Sequence, residues 1–416
     1  MTSFFTTLAW FCSFFSALYA AYFLMVALFS FKKNPVYPQR APQNRFAILI
    51  AARNEEAVIG GLVESLAAQD YPKELYDIIV IPNNCTDDTA GAARRAGAVV
   101  WDCTVPVRSK GQVLSFAVER LLAGDKHYDA ICIFDADNLV DPGFLREMNN
   151  ARCTGVQVAQ AYRDSKNPHD SLISGCGSIY YWMLNKFYNT SRRNMGLSAV
   201  VNGSGFMVDL ELLRQWGGWN TWTMTEDVEF TGQCALRGVQ VGWVPAAITY
   251  DEQPLEFSQS WKQRKRWSTG MFQCLERYAA PLTFSAFDGS FLSLDILLLY
   301  LCPLMQLLCL LPMALGALFH LLDIPYGLFP QTQLYYQFFL SLSCSFLCTF
   351  ATAFASVAAA RKPVLPMLGA MAFYWVFIMS WIPINFICLF RRQKTWEPIR
   401  HTRAIRPAQL FEQTAR

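Results

Sequence analysis

The chain has 416 residues, 53% of them hydrophobic, 15% aromatic and only 16% charged, against roughly 25% charged in an average soluble domain. That deficit points to a membrane protein, and a formal net charge of +3 with the basic residues gathered beside apolar runs gives no support to a nucleic-acid partner. The 13 cysteines form no CxxC pair and no zinc-like spacing with histidine, as expected of small buried hydrophobes in a reducing compartment.

Ser3 to Phe31 is almost wholly apolar and long enough as a helix to cross a hydrocarbon core of about 30 Å. No basic residue precedes it and Lys32-Lys33 follow, so it reads as an anchor rather than a cleaved signal, with the chain beyond it in the cytoplasm. Residues 1–33 are therefore assigned to an N-terminal transmembrane helix and 34–283 to a cytosolic domain of mixed composition. Within that domain Phe46 to Ala51, Asp77 to Ile81, Ala98 to Trp101 and Ala130 to Phe134 read as short buried strands separated by helical periodicity. Such alternation predicts an α/β fold with a mainly parallel sheet covered on both faces.

Ser171 to Arg193, aromatic on one side and basic at its end, reads as an interfacial helix, the alternative being that its aromatics pack on the transmembrane helices. Residues 284–390 hold three more apolar stretches, Phe291 to Leu322, Tyr335 to Ala360 and Val364 to Phe390, the first interrupted by Asp295 and Pro303. Three crossings from the cytoplasm would carry the basic tail, 391–416, outside, against the positive-inside rule. Either one stretch is re-entrant or interfacial, or the Phe291 to Leu322 run bends back on itself, so the tail is assigned as cytosolic or juxtamembrane.

Ligands of such sheets sit at the carboxyl ends of the strands. Three polar loops lie there: Arg53 to Glu56, Asn83 to Asp88 and Asp135 to Asn138. Strand alternation turns Asp135 and Asp137 the same way, about 6 to 7 Å apart, where they can share a hard divalent cation. Asp227, in Met224-Thr225-Glu226-Asp227-Val228, precedes a helical pattern that stops at Gly238, and a helix N-terminus favours its ionised form, as a general base requires. In Ser260 to Gly270 (SWKQRKRWSTG), Gln263, Arg266 and Trp267 share one helix face that can grip a phosphate and present a ring. Lys262 and Arg264 are left to point towards lipid headgroups. Taken singly, each motif has a plain structural explanation: a strand-ending turn, a helix cap, an interfacial tryptophan belt.

Together and in this order they resemble the family 2 membrane glycosyltransferases, relatives of cellulose, hyaluronan and poly-N-acetylglucosamine synthases and of ceramide glucosyltransferase. The resemblance implies a GT-A fold with transmembrane helices, a UDP-sugar donor and a Mg²⁺ or Mn²⁺ cofactor. It makes Glu55, Asp87, Lys110, Asp135, Gln263 and Arg266 donor-binding residues, Asp137 and Asp135 metal ligands, Asp227 the catalytic base, and Gly203, Ser204, Glu226 and Trp267 acceptor-binding residues. Two departures stand out. Asn83-Asn84 replaces the Asp-Asp of many relatives, and the acceptor loop Asn202-Gly203-Ser204-Gly205-Phe206 matches no single synthase closely.

The chemistry implied is inverting: the metal and Arg266 neutralise the leaving diphosphate while Asp227 deprotonates an acceptor hydroxyl, so an α-linked donor gives a β-linkage. The expected product is a growing polysaccharide, made processively. The alternative is a single sugar placed on a membrane lipid, which the small number of spans favours unless a homo-oligomer or an export subunit completes a channel. The expected location is the cell membrane, with the catalytic domain cytoplasmic and membrane lipids as partners. A non-catalytic scaffold or a transporter would leave the intact acidic and basic motifs unexplained.

Overall fold

The computed structural model describes residues 2–33, 36–321 and 331–391. After α1 (Thr2–Leu28), strands and helices alternate as β1 (Phe46–Ala52), α2 (Ile59–Ala67), β2 (Tyr76–Pro82), α3 (Thr89–Arg95), β3 (Val99–Val100), α4 (Lys110–Ala123) and β4 (Ala130–Asp135). Then come β5 (Leu139–Val140), α5 (Phe144–Arg152), β6 (Val158–Ser165), α6 (Leu172–Met183), α7 (Ser191–Met195), β7 (Phe206–Asp209), α8 (Leu210–Gln215), α9 (Glu226–Leu236) and β8 (Val241–Asp251). A long α10 (Phe257–Phe287) leads to α11 (Phe291–Leu321), α12 (Gln331–Ala359), α13 (Leu368–Met379) and α14 (Trp381–Phe390).

The strands form one sheet in the order β3-β2-β1-β4-β7-β6-β8-β5. Side chains alternate along β1, so Phe46, Ile48 and Ile50 pack with Leu62 and Phe144 on one face, while Ala47 and Leu49 pack with Leu114 and Phe230 on the other. Both faces are covered, as expected. The sheet is mixed rather than mainly parallel: β1, β2, β3 and β4 are parallel, but β7 lies antiparallel between β4 and β6, and β5 antiparallel to β8. This reversal pairs Ile133 with Phe206. It thereby brings the loop before β7 to the carboxyl end of β4, beside Asp135.

Four helical segments among the described residues are long and apolar enough to cross a membrane: Thr7–Phe31, Phe291–Pro312, Phe339–Ala359 and Leu365–Phe390. α11 runs through Pro303 and Pro312 as one helix to Leu321, so over its described residues this apolar run does not bend back on itself. The break lies in the last span instead, between α13 and α14. Residues 392–416, and with them most of the basic tail, lie outside the described residues.

Two residues that looked incidental tie the parts together. Asp295 is fully buried, accepting two hydrogen bonds of 2.9 Å from Arg192 and one of 2.7 Å from Tyr22, so α1, α7 and α11 meet at one ion pair. Arg264 does not reach headgroups; it is buried against α13, donating to Phe377 O at 2.8 Å and Ser380 Oγ at 2.6 Å. Within Ser171 to Arg193, α6 packs on the apolar helices. Cys176, Ile179 and Trp182 of α6 are buried against Val357, Met371 and Tyr374 of the apolar helices, because Gly175 lets the helix approach Ala370 closely.

Candidate active site

The turn after β4 is built from backbone outward. The Asp135 N–H donates to Ser204 Oγ at 2.9 Å, the same hydroxyl bonds Asn138 Oδ1, and Asn138 Nδ2 donates to Asp251 Oδ1 at 2.7 Å. Ser204 is thus fully buried and braces the turn; it does not line the cavity in which acceptor contact was expected of it. Gly203 does line it, with φ +91°. A Cβ there would stand 3.4 Å from Arg163 Nη1, 3.5 Å from Asp227 Oδ2 and 3.6 Å from Asp135 Oδ2. The glycine therefore leaves open the space that the two carboxylates face.

Lys110 opens α4, whose N-cap Ser109 accepts from Gln112 N. Its ammonium donates to Asp135 Oδ1 at 2.5 Å and Gly203 O at 2.6 Å and lies 3.6 Å from Glu226 Oε1. Burial opposes that charge, but Asp135 and Glu226 outweigh it and raise the lysine pKa. Burial likewise works against ionised Asp135, yet Lys110 and Arg163 hold it below its ordinary value. Glu226 is pushed up to about 7 by burial, with Lys110 pulling the other way and Asp227 adding to the rise. Asp227 was expected to be held ionised by the start of α9. Burial raises its pKa instead, against the Val228 N–H and the nearby cations.

Glu55 and Asn83 line the same cavity. Asp87 does not. It is exposed, and its carboxylate accepts from Glu56 N at 3.1 Å and Thr89 N at 3.2 Å, joining the loops after β1 and β2. Gln263, Arg266 and Trp267 line the cavity together on one face of α10, as their spacing requires. The helix can approach α9 because of Gly270, where a Cβ would meet Thr225 Oγ1 at 2.3 Å.

Asp137 also lines the cavity and accepts from Glu252 N at 3.3 Å. Among the described residues no group of three or more His, Cys, Asp or Glu side chains is placed to enclose a metal. Asp137 and Asp135 are hard oxygen donors, and such a pair would suit a cation of the Mg²⁺ or Mn²⁺ type beside a phosphorylated ligand.

Two site residues escaped the sequence. Arg163 lines the cavity from β6, donating Nε to Asp251 Oδ2 at 2.7 Å and Nη1 to Asn202 O, with its guanidinium 4.4 Å from the Tyr181 ring centroid. Asp251 is raised to about 6 by burial, which Arg163 opposes. The available signal was a charge near the carboxyl end of each of two strands, Arg163 in β6 and Asp251 closing β8.

The cavity, about 780 Å³, runs from these groups into the membrane helices. Carboxylates with cations beside them, at the carboxyl ends of strands, suit a phosphorylated ligand and the deprotonation of a hydroxyl. The sequence profile of the glycosyltransferase like family 2 matches residues 42–270. The chain belongs to glycosyltransferase family 2.

The chain is 26% identical over 239 residues to probable glycosyltransferase YdaM of Bacillus subtilis, a match covering 54% of this chain and 55% of that protein. It is 27% identical over 238 residues to the beta-monoglucosyldiacylglycerol synthase of Synechocystis, covering 56% and 49%. It is 24% identical over 237 residues to the poly-beta-1,6-N-acetyl-D-glucosamine synthase of Staphylococcus aureus, covering 55% of each. The matched part spans about half the length of these relatives. In fold it is similar to the mannosyltransferase PcManGT of Pyrobaculum calidifontis, solved with GDP-Man and Mn²⁺, with a TM-score of 0.61 at 18% identity over 89% of this chain and 98% of that one. The chain thus combines a GT-A-like domain with four candidate membrane spans among the described residues.

Proposed function

We propose that the enzyme transfers a sugar from a UDP-sugar to an acceptor hydroxyl at the cytoplasmic face of the cell membrane, with inversion to a β-linkage. The observation that carries this reading is one continuous cavity, in which Asp135, Asp137 and Asp227 share walls with Gln263, Arg266 and Trp267 and with the membrane helices.

In this reading Glu55 and Asn83 meet the nucleoside end of the donor, and Lys110 and Arg266 meet its diphosphate. Asp137, with Asp135, holds Mg²⁺ or Mn²⁺, which when bound supplies charge neutralisation for the leaving diphosphate. Asp227 accepts the proton of the acceptor hydroxyl as that oxygen bonds to the anomeric carbon and the bond to diphosphate breaks. Trp267 covers the acceptor side, and Gly203 keeps the space beside Asp227 clear.

The acceptor is a growing polysaccharide in one reading. A single transfer to a membrane lipid is the second, supported by the membrane-lined cavity and by the resemblance to a synthase named for glucosyldiacylglycerol. UDP release by the purified protein in lipid nanodiscs, against a panel of UDP-sugars with Mg²⁺ or Mn²⁺, tests the transfer. A long saccharide from one donor identifies a polymer synthase, and a product extracted into organic solvent with one sugar identifies a lipid transferase. UDP release from none of the donors defeats both.

A further inference from the structure

Beyond Trp267 the cavity changes chemistry. Its charged lining residues all belong to the cytosolic domain and α10; the walls given by α1, α11, α12, α13 and α14 carry no charged side chain among the described residues. Trp267 stacks on Tyr180 with ring centroids 6.2 Å apart at 20°, and on Trp381 at 6.2 Å and 24°. Past this aromatic wall, Asn385 Nδ2 donates to Gln306 Oε1 at 2.7 Å, and Asn385 Oδ1 accepts from Ser268 Oγ at 2.7 Å. All three polar residues line the cavity. Polar side chains among apolar spans are costly and mark functional paths.

We propose that the aromatic wall and the amide pair form an acceptor subsite for an uncharged, hydroxyl-bearing group, a sugar ring or a glycerol-type head group, and that Trp381 determines its specificity. The proposal rests on the transfer reaction above and adds the acceptor's chemistry to it. Ring faces cover the C–H face of such a group, and amides pair with its hydroxyls. A phosphorylated lipid acceptor would need a cation here. The cations at hand are engaged elsewhere: Arg264, 5.7 Å from the Trp381 ring centroid, with Phe377 O and Ser380 Oγ, Lys110 with Asp135 and Gly203 O, Arg163 with Asp251 and Asn202 O, and Arg266 with the donor diphosphate in the reading above.

Arg264 is the positioning residue of this subsite. Trp381 begins α14 directly after the break at Ser380. There the buried guanidinium donates to Phe377 O and Ser380 Oγ and lies 4.1 Å from the Phe377 ring centroid. It thus satisfies a carbonyl freed where α13 ends, and fixes the angle at which Trp381 meets Trp267.

The test uses the full chain in nanodiscs with its preferred UDP-sugar and three acceptor probes: diacylglycerol, a polyprenyl phosphate, and a soluble β-linked oligosaccharide. Trp381→Ala is expected to raise the apparent KM of the neutral acceptor about tenfold while moving the UDP-sugar KM less than about twofold. Trp381→Phe recovers most of the loss. Arg264→Met reproduces the split and Arg264→Lys reverses part of it. Stimulation by diacylglycerol names a lipid source, and stimulation by the oligosaccharide a saccharide source. Stimulation by the polyprenyl phosphate alone, response to neither neutral probe, or an unchanged acceptor KM in Trp381→Ala overturns the proposal while the transferase reading stands. A wild type that releases no UDP from any donor defeats the reading beneath it and this proposal with it.

Discussion

Lys110 Nζ sits 2.5 Å from Asp135 Oδ1, a cation in direct contact with the first carboxylate of the Asp135-Ala136-Asp137 turn. The contact helps set the charge of this end of the cavity. Without the ammonium, Asp135 would keep only Arg163 and Arg266 as counter-charges, and Glu226 only Arg266, against an arriving diphosphate.

Lys110→Met is therefore expected to lower kcat/KM for the UDP-sugar by about 10²-fold, and Lys110→Arg to recover part of it. Steady-state kinetics at saturating metal measure this. An unchanged kcat/KM would place the lysine outside donor binding.

The raised carboxylate pKa values predict a displaced acid limb. A base at Asp227 works only when ionised, and its pKa lies above the ordinary 3.8. The kcat profile should fall towards low pH with a midpoint above that of a free aspartate. Glu226→Gln, by removing a neighbouring negative charge, should move the midpoint down. Linkage gives a second sign: Glu226 rises from 4.5 to about 7 on folding. Its contribution to stability is then full below 4.5 and lost as pH rises through about 7. A kcat midpoint at the ordinary aspartate value, or one indifferent to Glu226→Gln, contradicts the assignment.

Gly270 holds α10 against the turn that presents Asp227. In Gly270→Ala the new Cβ would fall 2.3 Å from Thr225 Oγ1 and 2.6 Å from its Cγ2, so the turn must shift. Misplacing a reacting group by about 1 Å costs on the order of 10²-fold in rate. The expected result is a loss in kcat of that order, with the protein still folded by thermal unfolding in detergent. Activity near wild type would show that the Thr225 turn tolerates displacement.

The Arg192–Asp295 pair predicts a non-additive stability pattern. Asp295→Asn leaves a buried guanidinium without its charge partner and should cost about 3 to 5 kcal/mol, whereas Arg192→Met combined with Asp295→Leu should cost less than either single change. Denaturation of the three variants in detergent checks this. Additive losses would contradict the coupling.

The strand at Phe46 and the helix after Asp227 were legible because their periods are local: a continuous apolar run in one, apolar residues at helical spacing in the other. Gln263, Arg266 and Trp267 were legible for the same reason, since i, i+3 and i+4 share a helix face wherever the helix lies. The reversal of β7 was not, because strand direction depends on pairing with β4, some 70 residues earlier, and not on its own pattern. The Arg163–Asp251 pair joins residues 88 apart. Arg264 read as a headgroup ligand because it falls off the helix face shared by Gln263, Arg266 and Trp267. Its burial depends on a helix break 116 residues later at Ser380. Ser204 was assigned to an acceptor loop because the resemblance matched Asn202 to Phe206 to such a loop, and only the turn beneath Asp135 reveals what its hydroxyl bonds.

Comparison of Asp227→Asn with wild type in nanodiscs, measuring glycoside product and UDP-sugar binding side by side, bears on the chemistry itself. The substitution keeps the shape of the side chain and removes its capacity to take a proton. Product formation is expected to fall by about 10² to 10⁴-fold with UDP-sugar affinity changed little. Product formation at the wild-type rate by Asp227→Asn would show that Asp227 is not the base and that the cavity beside Gly203 is not where the acceptor hydroxyl reacts.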